Sequence, residues 1–245
     1  IQDAKPGHIS VVPLYIENFY KKIWQGIEKQ GKTKLVKTMI SVSNALRKIG
    51  IDLRRVLFKS IINNFGGNLD MLISGGAPIS DVYMKGFDDI GVTIINGYGI
   101  TECSPIVALN RNNNIKYGTV GNPLRNTEIK IQDPDENGEG EIWVKGDIVM
   151  MGYYHNEAET ARVLKNGWFN TEDIGKFENN FLSITGRKKN IIILDNGKNV
   201  YPEEIETMLS FIDNVGEVVV YQEDNVIVAE IYSDAEGDKA AIQAQ

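Results

Sequence analysis

Val92-Thr93-Ile94-Ile95-Asn96-Gly97-Tyr98-Gly99-Ile100-Thr101-Glu102 is the stretch on which the reading of this chain turns. A short β-branched run ends in two glycines around an aromatic ring, then presents a hydroxyl and a carboxylate. The glycines permit backbone paths that a side chain would block, so the chain can turn tightly and approach a ligand. The ring offers a flat face for a base. Thr101 can donate to a phosphate oxygen, and Glu102 supplies a hard oxygen for Mg²⁺. Taken alone, the stretch reads equally well as a strand followed by an ordinary Gly-rich turn.

Three further stretches narrow the choice. Ser74-Gly75-Gly76-Ala77-Pro78 follows a second apolar strand, Leu69 to Ile73. Trp168-Phe169-Asn170-Thr171-Glu172-Asp173-Ile174-Gly175 carries acidic groups after two aromatics. Ile184-Thr185-Gly186-Arg187-Lys188-Lys189-Asn190 leads into an isoleucine run, then Asn196-Gly197-Lys198-Asn199-Val200-Tyr201-Pro202-Glu203-Glu204. In this order and at this spacing the four stretches resemble the adenylate-forming, or AMP-binding, superfamily of acyl-CoA synthetases, amino-acid adenylation domains and luciferases. The opening Val12-Pro13-Leu14-Tyr15-Ile16-Glu17-Asn18-Phe19 is most similar to the bacterial long-chain fatty acyl-CoA synthetases.

Composition bounds the reading. The chain has 245 residues, 42% of them hydrophobic, enough to bury a core and to hold more than one domain. Net charge is −7, and the charges read as interspersed with no basic block, which argues against nucleic acid as a partner. Cys103 is the lone cysteine; it excludes an internal disulfide framework and fits a reducing, cytoplasmic setting. Only His8 and His155 are present, leaving little for a histidine-based metal site or triad. No apolar run approaches the roughly 20 residues needed to span a bilayer. The start at Ile1-Gln2-Asp3 reads as a cut from something longer, a C-terminal-half fragment of the parent enzyme.

Periodicity predicts helices over 16–30, 32–48 and 55–65, and one opening at Ser80-Asp81 between strands 69–73 and 92–95. Strand, helix, strand reads as a parallel α/β unit whose ligands collect at the strands' carboxyl ends. After about Ile115 the pattern becomes alternating strands with polar turns, including a hairpin from Asp173–Phe177 to Phe181–Ile184, interrupted by a helix near 157–164. A third unit comes after Arg187: a strand 191–194, a helix from Pro202, and strands 218–221 and 226–231. The tail from Ser233 reads as poorly ordered. The fold class is therefore mixed α/β. The resemblance implies residues 1–186 as part of an AMP-binding large domain, with 1–114 the α/β part and 115–186 a distorted antiparallel β-barrel. Residues 187–245 would be a truncated α+β lid.

The resemblance also implies roles. Asn96 would accept from the adenine amino group, Tyr98 would stack on adenine, and Gly75, Gly76, Ala77 and Gly97 would wall the nucleotide site by close backbone approach. Thr101 would bind the α-phosphate and Glu102 would hold Mg²⁺. Asp173 would accept both ribose hydroxyls, with Arg187 reaching ribose or phosphate and Glu172 left solvated. Lys189 would be the hinge, and Gly197 would border the coenzyme A thiol path. Cys103 reads as packing. The family's Ser/Thr/Gly-rich triphosphate loop has no counterpart here, and Lys239 lacks the context of the adenylating lysine. The expectation is an ATP- and Mg²⁺-dependent acid–thiol ligase that activates a fatty acid and transfers it to coenzyme A, with this piece alone inactive. An acyl carrier protein in place of coenzyme A, or a non-catalytic nucleotide-binding module, are the alternatives. The reading allows peripheral membrane association of the parent.

Overall fold

The computed structural model describes residues 1–194, 199–210, 212 and 215–233. Two compact units divide the chain, one built from 1–126 with 180–182, the other from 127–179 with 183–245.

In the first unit, β1 (His8–Val11) leads into α1 (Pro13–Lys29), and α2 (Thr33–Arg47), α3 (Arg54–Leu57) and α4 (Lys59–Asn63) come after it. Then come β2 (Met71–Ser74), α5 (Asp81–Asp89), β3 (Thr93–Gly99), β4 (Ile106–Leu109) and the short β5 (Asn122–Pro123). Local chemistry sets these boundaries. Pro13 at the first helical position, with its φ already fixed, starts α1. The Ser80 hydroxyl caps α5 by accepting from Val82 N–H. The expected helix over 55–65 breaks in two at Phe58, whose backbone leaves helical geometry. Its ring is buried in the core.

The sheet order is β1-β2-β3-β4-β5. Strands β1, β2 and β3 run parallel, and β4 and β5 add antiparallel edges. This is the expected β–α–β unit with an antiparallel extension. The core lies between the sheet and its helices, where Ile16, Phe58, Leu69, Leu72, Met84, Phe87 and Val92 are buried. Tyr20 packs edge-on to Tyr83 with ring centroids 5.4 Å apart.

The second unit contains β6 (Thr127–Gln132), β7 (Gly140–Gly146), α6 (Glu157–Val163), β8 (Leu164–Lys165), β9 (Trp168–Glu178) and β10 (Phe181–Arg187). Beyond them are β11 (Ile192–Ile193), β12 (Asn199–Val200), α7 (Pro202–Leu209), β13 (Glu217–Glu223) and β14 (Val226–Tyr232). Asn179 and Asn180, with φ of 51° and 68°, make the two-residue left-handed turn that joins β9 to β10. The expected barrel is not closed. The sheet order is β10-β9-β7-β6 with β8 beside β9, and among the described residues no pairing joins β6 to β10. Strands β11 and β12 pair, as do β13 and β14, each as a separate two-stranded sheet. The tail 234–245 lies outside the described residues. Among the described residues no helix is long and apolar enough to cross a membrane.

The charges are less evenly spread than they first read. Between Lys21 and Lys59, eleven lysines and arginines face only Glu28 and Asp52, a net +9 that leaves −16 for the rest of the chain.

Phe87 is fully buried where α5 meets α1. Phe87→Ala should cost about 3–5 kcal/mol by lost transfer energy and a residual cavity, measured by denaturant unfolding. A loss below about 1 kcal/mol would contradict this core.

Candidate functional site

Parallel pairing of β2 with β3 sets Ser74 opposite Asn96. Both Gly-rich segments therefore begin where this parallel pairing ends, on the carboxyl side of neighbouring strands, where ligands collect in such sheets. Strand β3 runs further than its apolar residues suggested. Gly97, Tyr98 and Gly99 stay in the sheet because β4 pairs with them, with a bulge between Tyr98 and Gly99. The two glycines serve this close approach. A Cβ on Gly97 would sit 2.7 Å from Leu109 Cδ1, and one on Gly99 would overlap the Pro105 carbonyl. Neither adopts a left-handed conformation, whereas Gly76 does, with φ of +87°.

Gly75, Gly76, Gly97, Tyr98 and Gly99 line a cavity of about 660 Å³, walled on its other sides mainly by Val11, Val12, Tyr15, Ile73, Pro105 and Ile106. Ala77 is exposed and outside that lining. Val12 and Tyr15 were not expected here. Strand β1 is parallel to β2, so the Val12-Pro13 junction also lies just past a strand's carboxyl end, and that rule could have found it.

Asn96 is 5% exposed. Its amide nitrogen donates to the Thr119 carbonyl at 3.5 Å, and its Oδ1 has no partner among the described residues. Close to it, Asn110 is fully buried. Asn110 Nδ2 donates to Thr119 O at 2.8 Å and Asn96 O at 3.4 Å, and its Oδ1 accepts from Lys116 N–H at 3.1 Å. The Asn110 backbone N–H also donates to Asn96 O at 3.0 Å. Asn110 thus fixes the end of β3, and no motif drew attention to it.

Thr101, Glu102 and Cys103 form one 3₁₀ turn, closed by Ser104 at φ 60° and by Ile100 N–H donating to Pro105 O at 2.8 Å. Thr101 is exposed, Glu102 half-buried and Cys103 buried. Burial, with the Glu102 charge behind it, pushes the Cys103 thiol up to about 12. Such a thiol stays protonated at neutral pH and is a poor nucleophile, in keeping with packing.

The second unit carries the other group of expected residues. Strand β9 bulges against β7: Asn170 pairs with Trp143 and Ile174 with Glu141, so three residues of β9 oppose Ile142 alone. Glu172 takes φ of 60° inside this bulge, its N–H donating to Asn170 Oδ1 at 2.9 Å. The Thr171 hydroxyl donates to Ile142 O at 2.9 Å and accepts from Asp173 N–H at 3.1 Å. These bonds aim Asp173, which is 4% exposed and accepts from Arg187 Nε at 3.0 Å. Glu172 is not solvated as expected. It pairs with Arg162 at 2.6 Å and Lys189 at 2.9 Å. Hydrogen bonds from Arg162 first, then Lys189, hold its carboxyl below the usual range. Lys188 pairs with Glu141. Gly197 lies outside the described residues.

A profile of the AMP-binding enzyme family matches residues 1–154. The chain belongs to this family. A long-chain-fatty-acid–CoA ligase of Mycobacterium bovis is 34% identical over 230 residues, covering 88% of this chain and 38% of the relative. One from Haemophilus influenzae is 41% identical over 177 residues, covering 66% of this chain and 31% of the relative. Among solved structures, O-succinylbenzoate coenzyme A synthetase from Bacillus subtilis, in complex with ATP and magnesium ion, is 29% identical with a TM-score of 0.62; the match covers 71% of this chain and 39% of that one. The chain thus spans well under half the length of these family members.

Asn110→Leu should strand the Lys116 N–H and leave the Thr119 carbonyl only the long 3.5 Å bond from Asn96. At about 1–3 kcal/mol for an unsatisfied buried group, the loss expected from denaturant unfolding is about 1–3 kcal/mol. A neutral result would show that Asn110 does not hold the end of β3.

Proposed function

We propose that this chain forms the nucleotide-side part of an enzyme that activates a carboxylic acid, most fittingly a fatty acid, with ATP and passes it to coenzyme A. In the first half-reaction an acid oxygen attacks the α-phosphorus, forming acyl-adenylate and releasing pyrophosphate. In the second the thiol of coenzyme A attacks the acyl carbon, forming a thioester and releasing AMP. The observation that carries the reading is the ordered set Asn96, Tyr98, Thr101 and Glu102 at the carboxyl end of β3, beside a largely apolar cavity.

Each group has a physical task. The orphaned Oδ1 of Asn96 suits an amino donor such as that of adenine. The Tyr98 ring offers a stacking face worth about 1–3 kcal/mol per base. The exposed Thr101 hydroxyl can donate to the α-phosphate, and the apolar walls from Val12, Tyr15, Ile73 and Ile106 suit an alkyl chain. Asp173 would accept the ribose hydroxyls, and Arg187 beside it would hold ribose or phosphate.

Mg²⁺ fits the residues present. Among the described residues no three His, Cys, Asp or Glu side chains gather into a metal cage. Magnesium does not require one, because it is commonly held by one or two carboxylates with substrate phosphates and water. Glu102 would supply that carboxylate. When bound, the ion neutralises phosphate charge that builds during transfer.

The reading of 187–245 as a lid hinged at Lys189, with Gly197 near the thiol path, belongs to this proposal. Its support is that Arg187, Lys188 and Lys189 are tied to Asp173, Glu141 and Glu172. A turn of the backbone there exchanges all three pairs at once. A cytoplasmic setting fits the lone cysteine.

The test uses the full-length enzyme. Pyrophosphate release is expected with ATP, Mg²⁺ and fatty acids, followed by consumption of coenzyme A in preference to acyl carrier protein. Silence with every acid would favour a non-catalytic module. Glu102→Gln should slow adenylation about 10²–10³-fold, the scale for losing one electrostatic stabiliser, while AMP affinity by calorimetry stays nearly unchanged. Asp173→Ala should weaken AMP and ATP alike, by about tenfold or more if a charge-assisted bond is worth about 1.5–3 kcal/mol. If both variants kept activity and affinity within about twofold, roughly 0.4 kcal/mol, these roles would be wrong.

A further inference from the structure

We propose that Glu172 is a positioning residue that holds the junction at Lys189, and that Arg162 limits how tightly it holds. The inference rests on the reading of 187–245 as a moving segment and adds the groups that set the balance of that motion.

Glu172 occupies its place against the preference of its backbone. Its φ of 60° lies in the left-handed region, which glycine takes freely and a residue with a long side chain rarely takes. A side chain kept at such a position points to a use for it. Its carboxylate is bridged: Oε1 accepts from Arg162 Nη1 at 2.6 Å, and Oε2 pairs with Lys189 Nζ at 2.9 Å. Asn170 links this bridge to the next one, because its Oδ1 accepts the Glu172 N–H while its Nδ2 donates to Glu141 Oε2 at 2.7 Å. Glu141 in turn holds Lys188.

The two cations on Glu172 are not equivalent. Arg162 is anchored on α6, where Asn156 Oδ1 caps the helix by accepting from Glu159 N–H at 3.2 Å and Val163 is buried. Its Nε and Nη2 clasp Glu159 at 2.8 and 2.6 Å, which leaves Nη1 for Glu172. Lys189 carries a single ammonium on a flexible stem, and its side chain is 74% exposed. A turn of the junction therefore releases Lys189 into water while Arg162 stays. The Glu172 carboxylate, only 24% exposed, is not left bare.

Electrostatics fixes the sign of each contribution. Two cations that share one carboxylate repel each other, so Arg162 weakens the attraction that Lys189 feels. Neutralising Glu172 should loosen the junction, and neutralising Arg162 should tighten it. Glu159 offsets part of the Arg162 charge, so neutralising Glu159 should loosen it. A clasp that merely pinned α6 to β9 would behave differently, because loss of either partner would then disturb the junction in the same direction.

The test is limited trypsin digestion of the full-length enzyme without substrates, read by mass spectrometry as the rate of the cut after Lys189. Trypsin must take the lysine into its own specificity pocket, so the ammonium has to leave Glu172 first. Glu172→Gln should speed this cut about two- to fivefold and Arg162→Gln should slow it by a similar factor, the scale of one partly exposed ion pair. Cuts elsewhere should keep their rates. If Arg162→Gln lowers the unfolding midpoint, Glu159→Gln serves instead and should speed the cut. Equal rates in all variants, or the same direction of change for Glu172→Gln and Arg162→Gln, overturns the proposal. In the same enzyme the ratio of pyrophosphate release to thioester formation should move in opposite directions with those two variants, and a ratio that neither moves also overturns it. Digestion that follows the expected signs in an enzyme silent with every acid would sink the catalytic reading and support the roles of Glu172 and Arg162.

Discussion

The whole arrangement depends on how closely β4 can lie against the end of β3. The parallel pairing of β2 with β3 ends at Ser74 and Asn96, and the path of the chain beyond it is decided by the backbone at Gly97 and Gly99. A side chain at Gly99 collides with the Pro105 backbone, and one at Gly97 presses on the Leu109 side chain and the Ala108 carbonyl. Without that approach, residues 100–105 could not fold back as a tight loop, and Thr101 and Glu102 would lose their fixed position. The glycines of this motif therefore act first as packing residues. Their value to a ligand is secondary: the same missing side chains leave Tyr98 standing beside an open cavity.

Buried amides support that arrangement from within. Asn110 satisfies backbone groups from three places, Asn96, Lys116 and Thr119, which no apolar residue could do. Most polar groups there are paired, and the carbonyl oxygen of the Asn96 amide is left over. A buried orphan of this kind carries a standing penalty that a donor on a ligand removes. Rigidity and receptivity come from the same network.

How much of this the sequence revealed varies with the kind of interaction. The β2–α5–β3 unit was legible, because its strands are apolar runs bounded by turn residues and its helix opens on Ser80. The hairpin at Asn179-Asn180 was legible too, since those residues tolerate positive φ. A distorted barrel was expected; alternation marks strands and their faces, but whether β6 meets β10 depends on long-range pairing that alternation does not encode. Phe58 looked like one more helix residue because its break is imposed by burial. Asn110 and Glu172 were missed for a related reason. Each is defined by partners distant in sequence, Asn96 and Thr119 for one, Arg162 and Lys189 for the other. The charge segregation, by contrast, was in the sequence throughout and was averaged away by the net figure.

The pair of Asp173 and Arg187 shows how a site can be stable and still exchange partners. The two ends are unequal: the Asp173 side chain is 6% exposed and that of Arg187 is 67% exposed. Separating the pair costs Arg187 little, because water can solvate it where it already stands. Asp173 cannot be compensated in that way, since a buried carboxylate deprived of a strong donor carries a desolvation cost that the protein must make good. It therefore holds whichever donor is presented in suitable geometry. On the proposed reading, hydroxyls from a ribose would take that place, and the arginine so displaced would keep its charge for a phosphate. The bulge that aims Asp173 is rigid, fixed by Thr171 and Asn170, so the exchange falls on the exposed partner and on the segment that carries it. A change of ligand at Asp173 is in this way also a change in what tethers Arg187. The same backbone turn carries the Lys188 and Lys189 pairs, so the occupancy of one carboxylate bears on the whole junction.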